Sequence, residues 1–356
     1  MNNFKKKIEK RIKNITNFSY TNFFGRANTA IWAITLFLKN NNTKRSIILP
    51  ASMCVSPAII FLINGFKLIF VDVDKNTGLI DIQKVSKIIK KNNDICGLFY
   101  VNLFGNTENV FSQINKIKKK NVVIIQDLAQ TFLYSTKKKN NKLFGDFIIL
   151  SFGYSKIFDL NHGGMVLSNN QYFTQFGEKF DKGLKKLNIN YKAKNRYIRW
   201  YEQFFIKNRK FLIKDLKVFA NDLYLIKFNA KIFKEIFSSM TILSKESSKR
   251  SILLRNYIKI FTKLNVHILH SKSTMIPWRF SFLSNIKKEI ILYKLRKKNF
   301  DASSYYPNIA KRFEKLKKKY NNADRIEKKI VNLWLSKNYN KKKILDQGKI
   351  VKFENE

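Results

Sequence analysis

The chain has 356 residues, 45% of them hydrophobic, and carries 70 basic against 24 acidic side chains, a formal net charge of +46. That size supports a large buried core, in one globular unit or two lobes, and only four prolines and twelve glycines exclude a fibrous or low-complexity chain. Cys54 and Cys96 lie far apart without metal-ligand spacing, so free thiols in a reducing compartment are expected, and no metal site.

In chain order, the N-terminal MNNFKKKIEKRIKNITNF is basic but lacks the apolar stretch of a secretory signal. From Ala30, AIWAITLFLKN is apolar at helical spacing, and RSIILP reads as a short buried strand closed by Pro50. SPAIIFLINGF is helix-like and ends at Gly65, a plausible C-cap, before the strand KLIFVDVD. Asn64, Gly65 and Lys67 break this longest apolar stretch short of a membrane span. A soluble, cytoplasmic protein with no transmembrane segment is expected.

TGLIDIQKVSKIIKK then gives a turn and an amphipathic helix, DICGLFYVNLFG a strand, and ENVFSQINKIKKKN a helix. NVVIIQDLAQ and FGDFIILSFG are further strands. Strands that are continuous apolar runs, alternating with helices, predict a large, mostly parallel α/β sheet buried on both faces. Beyond Asn170 the chain is basic, aromatic and without a clear period until about Lys217. KIFKEIFSSMTILSKESSKRSILLRNYIKIFTKL predicts one or two long helices, PWRFSFL a strand, KKEIILYKLRKKNF a helix and VNLWLS a strand. The expected division is a large α/β domain over 1–225 and a small C-terminal α+β domain over 226–356, starting with the long helix.

A charge of +46 attracts polyanions, whether nucleic acid, anionic lipid or phosphorylated substrates. Codon bias toward Lys, Asn, Ile and Phe explains part of it, but not the scarcity of acids. The basic residues are spread along the whole chain, and no zinc-finger spacing, RNP-type aromatic signature or heptad basic region occurs. No specific nucleic-acid partner is expected.

Ligands of open parallel sheets collect at the carboxyl ends of the strands. Asp127 closes VVIIQD, Ser151 closes FIILS, and Lys156 follows in SFGYSKIFDLNHGG. GRANTA sits at the start of a helix, where free N–H groups make a phosphate site. Amine, carboxylate, hydroxyl and helix end together suit pyridoxal 5'-phosphate: a Schiff base, a partner for the pyridinium nitrogen, and phosphate ligands. In a large lysine-rich α/β chain, such groups also coincide by chance.

The wording of these pieces resembles the DegT-type family of nucleotide-sugar aminotransferases, fold-type I enzymes that use pyridoxal phosphate. A GTAAL-like helix start is matched by Asn28-Thr29-Ala30-Ile31, and VDVD-x-x-TG-x-ID by VDVDKNTGLID from Val71 to Asp81. QDLAQ stands for the family's EDAAH or EDAAQ, and FGDFIILSFGYSK for FGD-x-x-x-x-SF-x-x-x-K. RFSFL and LRKKNFDASSYYP resemble its C-terminal lobe. The resemblance makes Lys156 and Asp127 catalytic, as Schiff-base lysine and partner of the pyridine nitrogen. It makes Asn28, Thr29, Cys54, Gln130 and Ser151 further cofactor-binding residues, Ser151 toward the phosphate, Gln130 near the phenolic oxygen and Cys54 where relatives stack an aromatic.

Some positions differ. Asn102 in VNLFG stands where the family carries histidine, and His162 in NHGG where it carries glutamate. Family dehydratases replace the lysine itself by histidine, and Lys156 is intact, so His162 is read as a substituted loop residue. The family's partner-chain asparagine falls at Leu225-Ile226-Lys227, with Asn221 or Asn229 as substitutes. The resemblance implies a homodimer that transfers an amino group, from glutamate, to a keto-sugar on a nucleoside diphosphate, for polysaccharide or amino-sugar biosynthesis. Two rivals stand beside it: a family member that binds the cofactor without transaminating, in regulation or scaffolding, and a basic binder of nucleic acid or membrane surfaces.

Overall fold

The apolar runs form strands because β-branched and aromatic side chains suit a pleated surface covered on both faces. The computed structural model describes residues 2–133, 143–206, 213–271, 273–313, 319–335 and 338–353. Its strands begin with β1 (Tyr20–Phe24), β2 (Ser46–Pro50), β3 (Lys67–Val71), β4 (Ile95–Val101) and the two-residue β5 (Asn106–Thr107). β6 (Val123–Asp127), β7 (Phe147–Ser151) and β8 (Gly164–Ser168) follow. All but β5 join one seven-stranded sheet in the order β1-β8-β7-β6-β4-β2-β3. From β3 to β7 the neighbours are parallel. The large, mostly parallel sheet expected from the sequence is present.

Two strands run differently from the simple alternation. β8 returns antiparallel to β7, with Ser151 opposite Gly164, and β1 pairs antiparallel with β8. The cause is the connection: no crossover helix separates FIILS from MVLS, and a parallel neighbour needs one. β1 itself had no sequence forecast. Its YTNFF carries Thr21 and Asn22, yet both are buried, and Asn22 Nδ2 donates to the Thr174 carbonyl at 2.9 Å. The preceding helix α1 (Asn2–Ile15) buries Ile8 and Ile12 completely, and its Phe4 meets Phe237 at 5.8 Å.

β1 therefore points the same way as β7, and the helix after it, α2 (Ala27–Asn41), starts at the edge where β2, β4, β6 and β7 end. The stretch to Lys217 that had no forecast contains the helices Gln171–Gly183 and Tyr191–Tyr201 and the start of Ile213–Tyr224. The chain then crosses the start of α2, and Gly25 N donates to the Ile226 carbonyl at 3.1 Å. A Cβ at Gly25 would meet the Ile226 and Lys227 carbonyl oxygens at 2.3 and 2.6 Å, and both are backbone. Gly25→Ala should therefore cost about 3 kcal/mol, the upper part of the overpacking range. A urea midpoint equal to that of the parent would show that the crossing chain gives way.

The long apolar pattern after residue 230 splits into the helices Phe233–Thr241 and Leu243–Phe261. A smaller antiparallel sheet follows, built from β9 (His267–Ile268), β11 (Arg279–Leu283), β12 (Ala302–Ser303) and β13 (Ile330–Trp334), in the order β12-β13-β11-β9. β10 (Ser273–Thr274) instead pairs with β5 and ties this part to the end of β4. Ile232 to Leu243 pack in the core of the large sheet, whereas Leu254, Tyr257, Phe261, Phe280, Phe282 and Leu333 form a separate cluster. Among the described residues no helix is long and apolar enough to cross a membrane.

Candidate active site

The carboxyl edge of the large sheet gathers the expected groups. Asp127 and Ser151 are the last residues of β6 and β7, exposed by only 8% and 7%. After Ser151 the chain makes a tight loop, closed where Phe152 N donates to the Gly163 carbonyl and Leu160 N to the Phe152 carbonyl. Asp159 organises its interior, accepting from Ser155 N at 2.7 Å and Asn161 N at 3.0 Å. Ser155 and Asn161 both take φ of 62°, a left-handed conformation that costs energy outside glycine and is often kept at functional sites. Trp278 from the smaller lobe pins the same loop, donating Nε1 to the Ser155 carbonyl at 2.7 Å.

Lys156 is thereby held with Nζ 5.6 Å from the centre of the Trp278 ring. Among the described residues this amine has no hydrogen-bond or ion-pair partner. Burial pushes its pKa below the ordinary lysine value; Cys54 and Asp127 pull it up, while the Arg279 and Arg26 charges push it further down. Asp127 shows the opposite shift. Burial raises its carboxyl, against the bond from Ala129 N and the charge of Lys156. Oδ1 accepts that Ala129 N–H at 2.7 Å, leaving Oδ2 without a protein donor among the described residues.

The anion end of the site is the start of α2. Its N-cap, Arg26, is extended and makes no side-chain capping bond, so the N–H groups of Asn28 and Thr29 lack intrahelical acceptors. The Thr29 hydroxyl is committed elsewhere: it donates to the Tyr224 carbonyl at 2.5 Å and accepts from Ile226 N at 3.3 Å. Thr29 thus offers its backbone only. Ser151 Oγ accepts from Gly153 N at 3.3 Å and keeps its own proton to donate.

Gln130 is buried, and its Oε1 accepts from Phe104 N at 2.9 Å. Cys54 is partly exposed at the N-cap of the helix Val55–Ile63 and is a free thiol, as is Cys96. Asn102 is a strut, accepting from Gln126 Nε2 and donating to the Asn106 carbonyl, each at 2.9 Å. Among the described residues the buried Nε2 of His162 has no hydrogen-bond partner. Asn229 spends its side chain on Lys231 N at 3.1 Å, capping a short turn of its own chain.

Several contributors had no sequence forecast. Tyr197, Tyr201, Tyr224 and Tyr306 all lie near Cys54, and each phenol is pushed up, chiefly by burial. Trp278 and Arg279 come from PWRFSFL, where a cation between aromatic residues of a strand was the available signal. Arg26 stood in GRANTA itself. A cavity of about 1200 Å³ lies instead at the opposite sheet edge, beside Val123, Phe147 and the Lys118–Asp146 ion pair. It holds none of these groups.

A mostly parallel sheet, with a lysine loop and an acidic strand end on its carboxyl edge and a smaller lobe above them, defines an aminotransferase-like α/β protein. The chain belongs to the DegT/DnrJ/EryC1/StrS aminotransferase family, whose model matches residues 6–349. It is 31% identical over 146 residues to the UDP-4-amino-4,6-dideoxy-N-acetyl-beta-L-altrosamine transaminase of Campylobacter jejuni subsp. jejuni serotype O:23/36 (strain 81-176), covering 40% of this chain and 39% of that protein. The dTDP-4-amino-4,6-dideoxy-D-glucose transaminase of Shigella dysenteriae is 25% identical over 176 residues, 49% and 46% of the two chains. The matches thus span less than half the length of these relatives. In fold, the chain is similar to the E. coli GDP-4-keto-6-deoxy-D-mannose-3-dehydratase with bound hydrated PLP, at a TM-score of 0.76 and 18% identity. That match covers 98% of this chain and 92% of the other. Helicobacter pylori PseC, an aminotransferase involved in the biosynthesis of pseudoaminic acid, gives a TM-score of 0.74 at 18% identity, over 96% and 88% of the two chains.

Proposed function

We propose that the protein is a pyridoxal phosphate-dependent aminotransferase that moves an amino group from glutamate to a keto-sugar carried on a nucleoside diphosphate. It works in the cytoplasm as a homodimer, in amino-sugar or surface-polysaccharide biosynthesis. The observation that carries this reading is the unpartnered amine of Lys156 beside the buried carboxylate of Asp127, at the sheet edge where α2 also begins. The transaminases named above act on amino-dideoxy sugars linked to UDP or dTDP, which supports the substrate class.

The residues present fit the cofactor. When bound, it supplies an electron-withdrawing ring and a carbonyl that amines attack reversibly. Asp127, whose Oδ2 has no protein donor among the described residues, would be the group to hold a proton on the ring nitrogen. The N–H groups of Asn28 and Thr29, with the Ser151 hydroxyl, would hold the phosphate, and Gln130 and Cys54 would line the ring. Lys156 would be the residue that holds the carbonyl carbon, and its amine the group that would take a proton from the substrate carbon and return it. Its depressed basicity leaves more neutral amine near pH 7 than an exposed lysine has. Trp278 covers the amine from the side of the smaller lobe, with Tyr306 stacked on its indole.

The deciding experiment is the visible spectrum of the cofactor-loaded protein before and after glutamate, followed by addition of a nucleotide-linked keto-sugar. Amine transfer in both steps is expected. A bound chromophore that glutamate leaves unchanged would favour a family member that no longer transaminates.

The surplus charge gives a separate prediction. If it steers a diphosphate-bearing substrate, kcat/KM for the nucleotide-sugar should fall between low and physiological salt, as the Debye length shrinks to roughly 8 Å. Turnover at saturation should hold constant, because steering changes encounter alone. The glutamate half-reaction is the control, and equal salt sensitivity in both half-reactions would reject steering.

A further inference from the structure

Arg279 is a cation that the fold buries without a counter-ion among the described residues. It is 4% exposed, the first residue of β11, and its guanidinium carbon lies 3.8 Å from the Trp278 ring centre and 3.4 Å from that of Trp334. Nη1 donates to Ser303 Oγ at 2.6 Å, while the buried Nε has no acceptor. Among the described residues no carboxylate comes within ion-pair distance of it. Burial pushes the guanidinium down to about 10, against the opposing pull of Tyr306, Tyr305, Asp301 and Tyr154. Removing a charge from water is costly unless a partner compensates. None of the described residues supplies that partner.

The guanidinium also belongs to the Lys156 pocket. The ring of Trp278 that it covers is the one facing the Lys156 amine, and its charge is among those lowering the basicity of that amine. Tyr306 stacks on the same indole at 6.4 Å.

We propose that Arg279 receives a carboxylate of the amino-acid donor, and so orients the donor's amino group toward the Lys156 pocket. A planar fork with donors to spare matches a carboxylate, and the two tryptophans fix the plane of that fork. The other source of anionic oxygens is the diphosphate of the sugar substrate. In that molecule the charged group is separated from a reacting ring carbon by the sugar itself. In an amino acid the carboxylate and the amine share one carbon, which suits two cations resting on a single indole. The proposal rests on the aminotransferase reading, and its test is chosen to fail separately.

The test is titration of the cofactor-loaded protein with glutarate, a dicarboxylate that has no amine to react, followed by the fluorescence of the tryptophans flanking Arg279. A parallel titration uses UDP and dTDP. Arg279→Gln should weaken glutarate binding by about 30-fold, the order expected for a lost charge-assisted pair, and leave nucleotide affinity within about twofold. Arg279→Lys, which keeps the charge but loses the fork, should recover part of the glutarate affinity, and it carries the comparison if the glutamine variant does not fold. Unchanged glutarate binding, or an equal or larger loss for the nucleotides, would overturn the assignment. If glutarate binding depends on Arg279 in a protein that never transfers an amine, the aminotransferase reading falls and the carboxylate site stands.

Discussion

Lys156→Ala should lower amine transfer by roughly 10²–10⁴-fold, the scale of a lost general base, and should abolish borohydride fixation of the cofactor to the protein. Lys156 is one of 70 basic residues, so the claim is about position. It follows the end of β7, in a loop held by Asp159 and by Trp278. Its amine makes no hydrogen bond or ion pair with the described residues, and burial already disfavours its charge. Truncation therefore removes no hydrogen bond or ion pair of the amine, only its place over the Trp278 ring and the packing of its stem, so the melting temperature should change far less than the activity. Mass spectrometry of the borohydride-treated parent should find the adduct on the peptide containing Lys156. A stable adduct on another lysine would mean that the loop is in the wrong register for this chemistry.

Much of this site was legible because its residues sit at strand ends, and strand ends follow from apolar runs. VVIIQD and FIILS could close in few other ways, so Asp127 and Ser151 fell on one edge once the strands were parallel. The N-terminus of α2 was equally visible, although that it lies on the same edge depends on β1, which the sequence concealed. A short strand with buried Thr21 and Asn22 has no apolar signature, and strand direction is not written in an apolar run at all.

VDVDKNTGLID, matched almost letter for letter to the family, proves to be a tie between the lobes. Asp72 accepts from Asn322 N and Ala323 N at the start of the helix Asn321–Lys329, at 3.2 and 3.0 Å. Asp81 caps its own helix through Gln83 N and Lys84 N, each at 3.1 Å. Those carboxylates are spent on backbone N–H groups, where an N-cap acid stabilises a helix end. The strength of that match therefore identified the fold without marking the chemistry. Arg279 is the reverse case. One charged residue in a strand carries no motif, and only the folded chain brings it and its neighbour Trp278 to the Lys156 amine.

Asp127→Asn should keep the cofactor but lose the amine-transfer half-reaction by about 10²–10³-fold, as when one preorganised electrostatic partner is removed. Asparagine copies the shape of aspartate, and its oxygen can still accept the Ala129 N–H that Oδ1 accepts at 2.7 Å. The other branch changes from an anionic oxygen to an N–H donor, which faces a ring nitrogen it can no longer keep protonated. A ring held this way would withdraw electrons poorly, leaving the proton on the substrate carbon less acidic toward Lys156. Burial raises the Asp127 carboxyl above its ordinary range, so the parent should lose activity on acidification sooner than an exposed carboxylate would dictate. That acid limb should be missing from the residual rate of the variant. Replacing a buried carboxylate by its neutral isostere removes a desolvation cost, so no loss of thermal stability should accompany the change. Stopped-flow spectra with glutamate across pH, set beside melting curves, separate a chemical from a structural effect. Near-normal transamination in Asp127→Asn would remove Asp127 from the site, whatever its place at the end of β6.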